Sequence, residues 1–509
     1  MNTILTLFAP AEHMPAIRDI IASVYRLDEL VEVKDLLAAR PEPSAFHLVV
    51  RPKEGIRQTV DWYNVAPPYL LPEVIPFTDS NLLGLVFARL GNFEKSATYL
   101  ENNTVLLNDV RIIHRLQNGA PVDPAQLTSD FEAFEEYRFC HNSAILHHYA
   151  ATERSFDADK TRYFYREALN SAPNGEFYAF SARHYATFLT DTGDLQQAES
   201  MLRQAIPMAL SDDATPELKA GLCQVWMKKM VVPYDPVLLE DLKNTMWEVL
   251  EHYRRQGRET DEALLLIDAA QVANYAESFS ESLGYINRAV DILRREALVE
   301  LLAQALHRRG ILLYTWAKNG NPQFYRAALD SFQEALKTFN REDTPEVFAD
   351  IQQYLGVIYS EMPDEEQKRS LWAGISASSF QQALQFYNRE QYPYEYAMVC
   401  NNFANALGKY PQAVHTDNFE KALFYYNEAL DVRTAAAWPL ERAVTLLNYV
   451  EACWHLSLEG NGSNQALFEE MMYKTREAYA LTSDQKIREE ARSQMDKLEN
   501  LRVILEAEN

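Results

Sequence analysis

The sequence predicts an all-α protein built as an array of helix pairs, and three observations lead to this prediction. One short pattern recurs as ALKTFNREDTP from Ala335, ALQFYNREQYP from Ala383 and ALDVRTAAAWP from Ala429, with a weaker copy, AVDILRREALV, from Ala289. The four alanines lie 46, 48 and 46 residues apart, and a fixed period of this length is typical of repeat arrays. Apolar residues recur at helical spacing from Asp79 onward. The 509 residues include only 16 glycines, which favours helices because helix interiors exclude glycine.

The first 77 residues differ from the rest. Residues 15–39 can form one or two helices, and AFHLVVR from Ala45 has the β-branched run of a strand. Four prolines lie between Asp61 and Phe77, and this density blocks a regular helix and favours an extended segment. We expect this segment to lie against the first helices, as a small irregular N-terminal cap on the helical array.

Two stretches after Asp79 carry large and small residues at matching places. The first stretch places Leu83, Gly84, Phe87, Gly91, Phe93, Ser96 and Leu100, and the second places Tyr185, Ala186, Leu189, Gly193, Leu195, Ala198 and Leu202. Small residues at the eighth and twentieth places let the two helices of a pair cross closely, and the large residues fill the space around that contact.

These places resemble those of the tetratricopeptide repeat (TPR) family over residues 79–480. The resemblance implies an α-solenoid, a right-handed superhelix of antiparallel helix pairs. Residues 289–460 resemble the longer repeats found beside caspase-like CHAT protease domains in bacteria. The shared features are the Arg-Glu pairs at Arg341 and Arg389 and the prolines Pro345, Pro393 and Pro439.

From these patterns we expect four regions. They are an N-terminal cap with mixed or extended structure at 1–77, divergent TPR-like repeats at 78–260, regular long repeats at 261–485 and a C-terminal capping helix at 486–509. In register, each recurring alanine is a close-packing residue near the end of one helix pair, and each proline starts the next pair.

Six to eight extra residues lie between the helices of each regular pair, relative to the usual 34-residue repeat. They are KNGNPQFY from Lys318, SEMPDEEQKRS from Ser360, GKYPQAVHTDN from Gly408 and SLEGNGSNQ from Ser457. Loops inserted once per repeat can form a continuous recognition edge. The alternative is that they only lengthen the turns.

Charge and cysteine usage restrict the partners and the compartment. The formal net charge is −25, which repels nucleic acid. No segment has 18 uninterrupted apolar residues, so no membrane span is expected. Cys140, Cys223, Cys400 and Cys453 have no paired spacing, which fits neither a disulfide framework nor a zinc site and indicates a reducing, cytoplasmic location.

The sequence offers little chemistry. It contains no phosphate-binding loop, no HExxH and no GxSxG motif. Cys140 and His141 are adjacent, with His147, His148 and His184 nearby, but neighbouring helical residues point about 100° apart. These histidines form a metal or catalytic cluster only if the fold brings them together, and are surface or core residues otherwise. We expect no catalytic residue, no cofactor and no metal, and therefore no enzyme.

A binding surface follows from the TPR register. The second, fifth, ninth and twelfth places of each first helix face the concave groove, where amides and aromatic rings suit an extended peptide. The candidate groove residues are Arg183, Gln271, Asn274, Gln304, His307, Tyr314, Gln353, Asn401, Asn405, Glu451 and Trp454. The alternative for each residue is an ordinary solvated helix face.

The leading functional hypothesis is a non-enzymatic scaffold or regulatory adaptor that binds a protein or peptide partner through the groove or the inserted loops. The CHAT resemblance implies a separately encoded caspase-like protease, or another effector, as the controlled partner. A second hypothesis is a sensor that responds to a peptide or small ligand and switches an effector. A third is an enzyme whose site is built by the N-terminal segment.

Overall fold

The computed structural model describes residues 5–36, 48–58, 60–63, 67–124, 127, 133–150, 157–231, 234–362, 368–411, 417–456 and 461–507. The chain divides into two compact units, Met1–Arg258 and Glu259–Asn509, which we call the N-terminal unit and the C-terminal unit. Each is mostly helical, with successive helices packed in pairs, and the first also contains a small mixed sheet. The predicted all-α, TPR-like fold is confirmed.

The sheet begins the N-terminal unit. Its strands are β1 (Leu5–Ala9), β2 (Val31–Asp35), β3 (Leu48–Arg51) and β4 (Gly55–Gln58), in the order β2-β1-β3-β4. Strand β1 pairs in parallel with both β2 and β3, whereas β3 and β4 are antiparallel. All five residues of β1 are buried, as expected for a central strand covered on both faces.

The expectation of one or two helices over residues 15–39 is confirmed for the first part of this range and wrong for residues 31–35. Helix α1 spans Met14–Ala22, but residues 31–35 form strand β2. In this strand Val31 and Val33 are buried while Glu32 and Lys34 are exposed, which is the period-two pattern of a strand rather than a helical one. The predicted strand after Ala45 is confirmed over Leu48–Arg51, and residues 45–47 lie outside the described residues.

The proline-rich segment contains neither helix nor strand over its described residues, 60–63 and 67–77, as predicted. Its one ladder contact is an isolated antiparallel bridge between Ile75 and Ile56. Trp62, Tyr69 and Leu70 are nevertheless buried. We call residues 61–63 and 67–77 the strap.

The helices of the N-terminal unit follow the strap. They are α2 (Asp79–Arg89), α3 (Phe93–Tyr99), α4 (Thr104–Gln117), α5 (Ala133–Tyr149), α6 (Ala158–Asn170), α7 (Gly175–Asp191), α8 (Leu195–Ala205), α9 (Ala214–Lys229) and α10 (Pro236–Arg255). Helices α2 and α3, α5 and α6, α7 and α8, and α9 and α10 pack as pairs.

Small residues permit the close crossings, as the repeat pattern predicts. A Cβ atom at Gly84 would lie 2.5 Å from the Leu100 side chain, and Ser96 Oγ donates to Gly84 O at 2.7 Å. In the α7/α8 pair, Ala186 and Ala198 are both fully buried. A larger side chain at any of these places would push the two helices apart.

The C-terminal unit consists of helices alone among its described residues. They are α11 (Glu259–Tyr275), α12 (Phe279–Arg295), α13 (Val299–Lys318), α14 (Phe324–Ala335), α15 (Pro345–Glu361), α16 (Arg369–Leu384), α17 (Pro393–Leu407), α18 (Asn418–Val432), α19 (Pro439–Cys453), α20 (Asn461–Leu481) and α21 (Gln485–Ala507). Consecutive helices from α11 to α20 pack as five pairs.

The recurring pattern marks the joints between these pairs. Ala289, Ala335, Ala383 and Ala429 are fully buried near the ends of second helices. Helices α15, α17 and α19 each begin at a proline, because proline at the first helical position gives up an N–H that would have no intrahelical partner there. The predicted joint between successive pairs is therefore confirmed.

Candidate partner-binding surfaces

The predicted groove residues of the C-terminal unit lie on the first helices of its pairs, except Trp454, which directly follows α19. Gln304 and Glu451 are exposed, and Gln353 and Asn401 are buried. The others are partly buried, namely Gln271, Asn274, His307, Tyr314, Asn405 and Trp454. Whether any of them contacts a partner stays a prediction.

Three of these residues line one cavity of about 320 Å³. Tyr314 comes from α13, Asn405 from α17 and Glu451 from α19, and α15 also contributes, so four first helices line the cavity. Asn402 and Asn448 also line the cavity and add side-chain amides. An amide can both donate to and accept from a peptide main chain, so this lining suits an extended segment.

Glu361, at the end of α15, binds groups from three helices at the wall of this cavity. Its Oε1 accepts from Lys318 Nζ of α13 at 2.7 Å and from Lys409 Nζ, just after α17, at 2.8 Å. Its Oε2 accepts from the Tyr325 hydroxyl at 2.9 Å. Burial alone would raise the pKa of this carboxyl, but the hydrogen bonds and charges of the two lysines lower it below its usual range.

The sequence contained a signal for these ion pairs that the groove register missed. Lys318, Glu361 and Lys409 are the first or second residues of three of the inserted segments. The structure shows that α13 and α15 extend through Lys318 and Glu361, so the charges lie at helix ends and reach one another. A charged residue at the start of three of the four inserted segments was the available clue.

Several predicted groove residues already have partners within the C-terminal unit. Asn405 Oδ1 accepts from the Tyr426 hydroxyl at 2.6 Å. Asn274 Oδ1 accepts from Trp316 Nε1 at 3.0 Å. His307 Nε2 lies 2.9 Å from Asp350 Oδ2. These contacts hold the side chains in fixed positions, which is a requirement for a preorganised binding surface.

The last helix, α21, forms hydrogen bonds with two predicted groove residues, Glu451 of α19 and Trp454, which directly follows it. Gln494 of α21 donates from Nε2 to Glu451 Oε2 at 2.6 Å and accepts from Trp454 Nε1 at 2.9 Å. Glu451 thus binds α21 and lines the cavity at the same time, whereas the indole N–H of Trp454 is occupied by α21.

Arg183 is the one predicted groove residue of the N-terminal unit, and it binds the strap. Its Nη1 donates to Trp62 O at 3.0 Å, and its Nη2 lies 2.6 Å from Glu217 Oε2. Phe180, one turn earlier on α7, packs edge-on against the Trp62 ring at a centroid distance of 5.5 Å. The groove face of α7 therefore contacts a segment of the same chain.

Helix α5 binds the strap in the same way. Asn142 Oδ1 accepts from Leu70 N at 2.8 Å, and Asn142 Nδ2 donates to Leu70 O at 2.8 Å. His141 Nε2 lies 2.7 Å from Pro68 O, and its Nδ1 lies 2.8 Å from Ser181 Oγ. Since a carbonyl oxygen only accepts, His141 carries its proton on Nε2 and accepts from Ser181.

The structure gives the surroundings of the histidine and cysteine residues singled out in the sequence, and whether they have a chemical role stays a prediction. His141 is fully buried, and burial lowers its pKa to about 4, although the hydrogen bond to Pro68 opposes this. Burial raises the pKa of the Cys140 thiol to about 11. Among the described residues, no group of three or more His, Cys, Asp or Glu side chains could hold a metal ion.

A buried ion pair, Arg138 with Asp109, contacts the strap at Tyr69. Arg138 Nη1 lies 3.2 Å from Asp109 Oδ2, and the Tyr69 hydroxyl donates to Asp109 Oδ1 at 2.7 Å. Both charged side chains are less than a tenth exposed. Burial raises the pKa of Asp109, while the charge of Arg138 acts against this rise. No sequence pattern pointed to this pair, because its members lie on separate helices.

Over the described part of the chain, no helix combines the length and the apolar character needed to cross a bilayer.

Comparisons with known proteins return solved structures alone. No protein-family model matches the chain, and no curated protein matches it. A tetratricopeptide repeat protein from Parabacteroides merdae is similar with a TM-score of 0.41 and 13% identity, over 62% of this chain and 98% of that chain.

Two further structures are similar. The quorum sensor NprR from B. thuringiensis, in its apo form, has a TM-score of 0.42 and 15% identity, over 67% of this chain and 93% of that chain. Yeast Tom70 has a TM-score of 0.36 and 13% identity, over 83% of this chain and 82% of that chain. None of these three concerns a CHAT protease, so that association stays a prediction.

Proposed function

We propose that this protein is a non-enzymatic scaffold that binds an extended segment of a partner protein on the groove face of its C-terminal unit. The cavity lined by Tyr314, Asn405 and Glu451 is the observation that supports this proposal, because first helices from four pairs converge on it. Arrays of stacked helix pairs form extended concave surfaces suited to peptide segments.

The chemistry of the cavity indicates what it can hold. The amides of Asn402, Asn405 and Asn448 can bond to a peptide main chain, and the rings of Tyr314 and Phe419 offer apolar contact. Two lysines, Lys318 and Lys409, and two carboxylates, Glu361 and Glu451, line the cavity, so their formal charges balance. An uncharged extended stretch fits it better than a strongly acidic one.

The finer assignments rest on the sequence. We propose a cytoplasmic location, which the free thiols of Cys223, Cys400 and Cys453 fit. We further propose that the partner is an effector encoded as a separate chain, a caspase-like protease being the candidate that the CHAT resemblance implies. Catalysis by the N-terminal segment, the third hypothesis, stays a prediction.

Site-specific photocrosslinking tests the binding surface. A photoreactive phenylalanine replaces Asn402 in the cavity or, as the control, Tyr473 of α20, whose side chain is 69% exposed. We expect a crosslinked partner at position 402 that is absent at 473 and that is lost when Asn448→Arg fills the cavity. Equal crosslinking at both positions, or none at 402, would show that the cavity is not the contact.

One observation also favours the ligand-responsive switch. Glu361 joins α13, α15 and the end of α17 through Lys318 and Lys409. A ligand that bound either lysine would release one of these links and change how successive pairs are held. A thermal-shift screen with peptides and small ligands separates the two functions, since a scaffold without such a ligand shows no shift.

A further inference from the structure

We propose that the groove face of the N-terminal unit is a second peptide-binding site, and that the strap occupies it as an intramolecular ligand. The occupant it accepts in trans is an extended, proline-containing peptide with a Tyr-Leu core like that of the strap. This inference concerns α4, α5 and α7, and does not depend on the cavity of the C-terminal unit.

The side chains of the helices recognise the main chain of the strap. Leu70 N and O both bond to the single amide of Asn142. Pro68 O accepts from His141, and Trp62 O accepts from Arg183. Within a folded core, main-chain groups mostly bond to one another, whereas bonding to helix side chains is how a groove holds a peptide.

Two aromatic side chains of the strap enter buried positions. The Tyr69 ring packs with Ile112 of α4 and Leu146 of α5, and its hydroxyl donates to Asp109. The Trp62 indole donates to Glu176 Oε1 at 2.6 Å and packs against Phe180. A main chain bonded to helix side chains, together with two aromatic anchors, has the composition of a peptide-binding interface.

The strap sequence also has the character of a ligand. Residues 67, 68 and 72 are prolines, so this stretch has few N–H groups that need partners and loses little conformational freedom when it is ordered. Of the three N–H groups that remain between these prolines, that of Tyr69 bonds to Pro67 O at 2.7 Å and that of Leu70 bonds to Asn142.

The strap is tethered, which explains why the site is filled. Leu71 and Ile75 pack in the core that contains the sheet and α2, and Ile75 exchanges main-chain bonds with Ile56 at 2.7 and 2.9 Å. A tether of this kind gives the strap an effective concentration in the millimolar range. A free peptide with the same contacts will bind only after the contacts of the strap are weakened.

The test uses the full chain and a fluorescent synthetic peptide with the sequence of residues 67–76. The loosened variant carries Trp62→Ala and Tyr69→Ala, which remove both anchors and leave the helices unchanged. We expect the peptide to bind the loosened variant at least tenfold more tightly than the wild type. Adding Asn142→Ala should weaken that binding at least tenfold, and so should replacing the peptide's tyrosine by alanine.

A loosened variant that folds but binds the peptide no better than the wild type overturns the proposal. So does binding that is insensitive to Asn142→Ala. If the loosened variant does not fold, hydrogen exchange in the wild type decides. The amides of Leu70 and Leu71 should then exchange at least tenfold faster than the interior amides of α5, through opening of the strap alone, and equal rates would show that the strap is a fixed part of the core.

Discussion

The first helices of the two units share one repeat pattern but present different surfaces. In the N-terminal unit the groove faces of α5 and α7 bind the strap through Asn142, His141 and Arg183. In the C-terminal unit the corresponding helices line a cavity of about 320 Å³. Beside the strap, α4 and α5 also line a cavity of about 390 Å³ that includes Asn142. The same helix-pair scaffold thus holds a segment of its own chain in one unit and a cavity between first helices in the other.

The difference follows from what lies beside each groove face. The strap brings its own hydrogen-bonding groups, so buried polar side chains of α5 are satisfied by main chain rather than by water. In the C-terminal unit, the groove residues satisfy each other, as Asn405 does with Tyr426. The repeat pattern specifies helix crossings in both units, while the additional segment decides which surface stays available.

The largest expected effect comes from the buried ion pair beneath the strap. Arg138→Met should lower the free energy of unfolding by about 3–5 kcal/mol, because Asp109 would remain buried without its partner. The matched control is Arg389→Met in the C-terminal unit, where Arg389 and Asp431 form an exposed pair at 3.5 Å and the change should stay within about 1 kcal/mol. Urea denaturation measures both, and equal losses would contradict the buried role of Arg138.

A pH titration should affect the strap site through His141. Its pKa lies at about 4 in the folded chain, below the ordinary 6.5, so the unfolded chain binds more protons between these values. Neutral His141 makes its full contribution to the free energy of unfolding above pH 6.5. This contribution, about 3 kcal/mol in total, is lost as the pH falls toward 4.

The variant His141→Gln isolates this effect, because other groups such as Asp109 titrate in both proteins. The stability difference between wild type and variant should shrink steadily from pH 6.5 to 4. Denaturation midpoints at several pH values provide the measurement. A difference that is constant over this range would refute the assignment of a neutral, buried imidazole.

Asp268 of α11 should show the opposite pH dependence in the C-terminal unit. Burial raises its pKa to about 6, although the charge of Arg308 opposes this. Its folded-state pKa exceeds the ordinary 3.8. The contribution of the protonated Asp268 to the free energy of unfolding is therefore fully present below pH 3.8 and is lost as the pH rises through 6. Asp268→Asn should therefore stabilise the chain by about 2–3 kcal/mol at pH 7 and by much less at pH 4. Thermal denaturation at the two pH values tests this, and an equal gain at both would contradict it.

The smallest effects concern turns that follow helices. Gly193 in the N-terminal unit and Ala297 in the C-terminal unit both have positive φ, 83° and 56°. Gly193→Ala should cost about 1 kcal/mol, since no atom lies within 4 Å of an added Cβ and only backbone strain remains. Ala297→Gly should be neutral or stabilising by up to about 1 kcal/mol, because glycine relieves that strain. The melting temperature should fall for Gly193→Ala. For Ala297→Gly it should rise or stay unchanged.

Much of the fold could be predicted because the residues that pair two helices lie close together in the sequence. The recurring alanines and the prolines at residues 345, 393 and 439 lie within one repeat of the contacts they make, so spacing alone reveals them. Strand β2 was missed because a five-residue stretch with alternating valines is short enough to be read as the continuation of a helix. Strand β2 joins the sheet only by pairing with β1, where Val31 lies opposite Leu5, 26 residues earlier in the sequence.

The binding surfaces could be predicted less well. Arg183 was identified from its place in the repeat, but its partner Trp62 lies 121 residues away, a separation that no periodic pattern reports. The contacts among Lys318, Glu361 and Lys409 join residues of three inserted segments, and the sequence pattern did not indicate that these side chains meet.

The sequence by itself determined the helix pairs and the joints between them, because these depend on the size and polarity of residues a few places apart. The tertiary structure alone decided that the strap binds α5 and α7 in the N-terminal unit and that four first helices line one cavity in the C-terminal unit. The physical reason is that a polar side chain on a helix face accepts any partner with suitable geometry, and which partner reaches it depends on how distant segments of the chain are brought together.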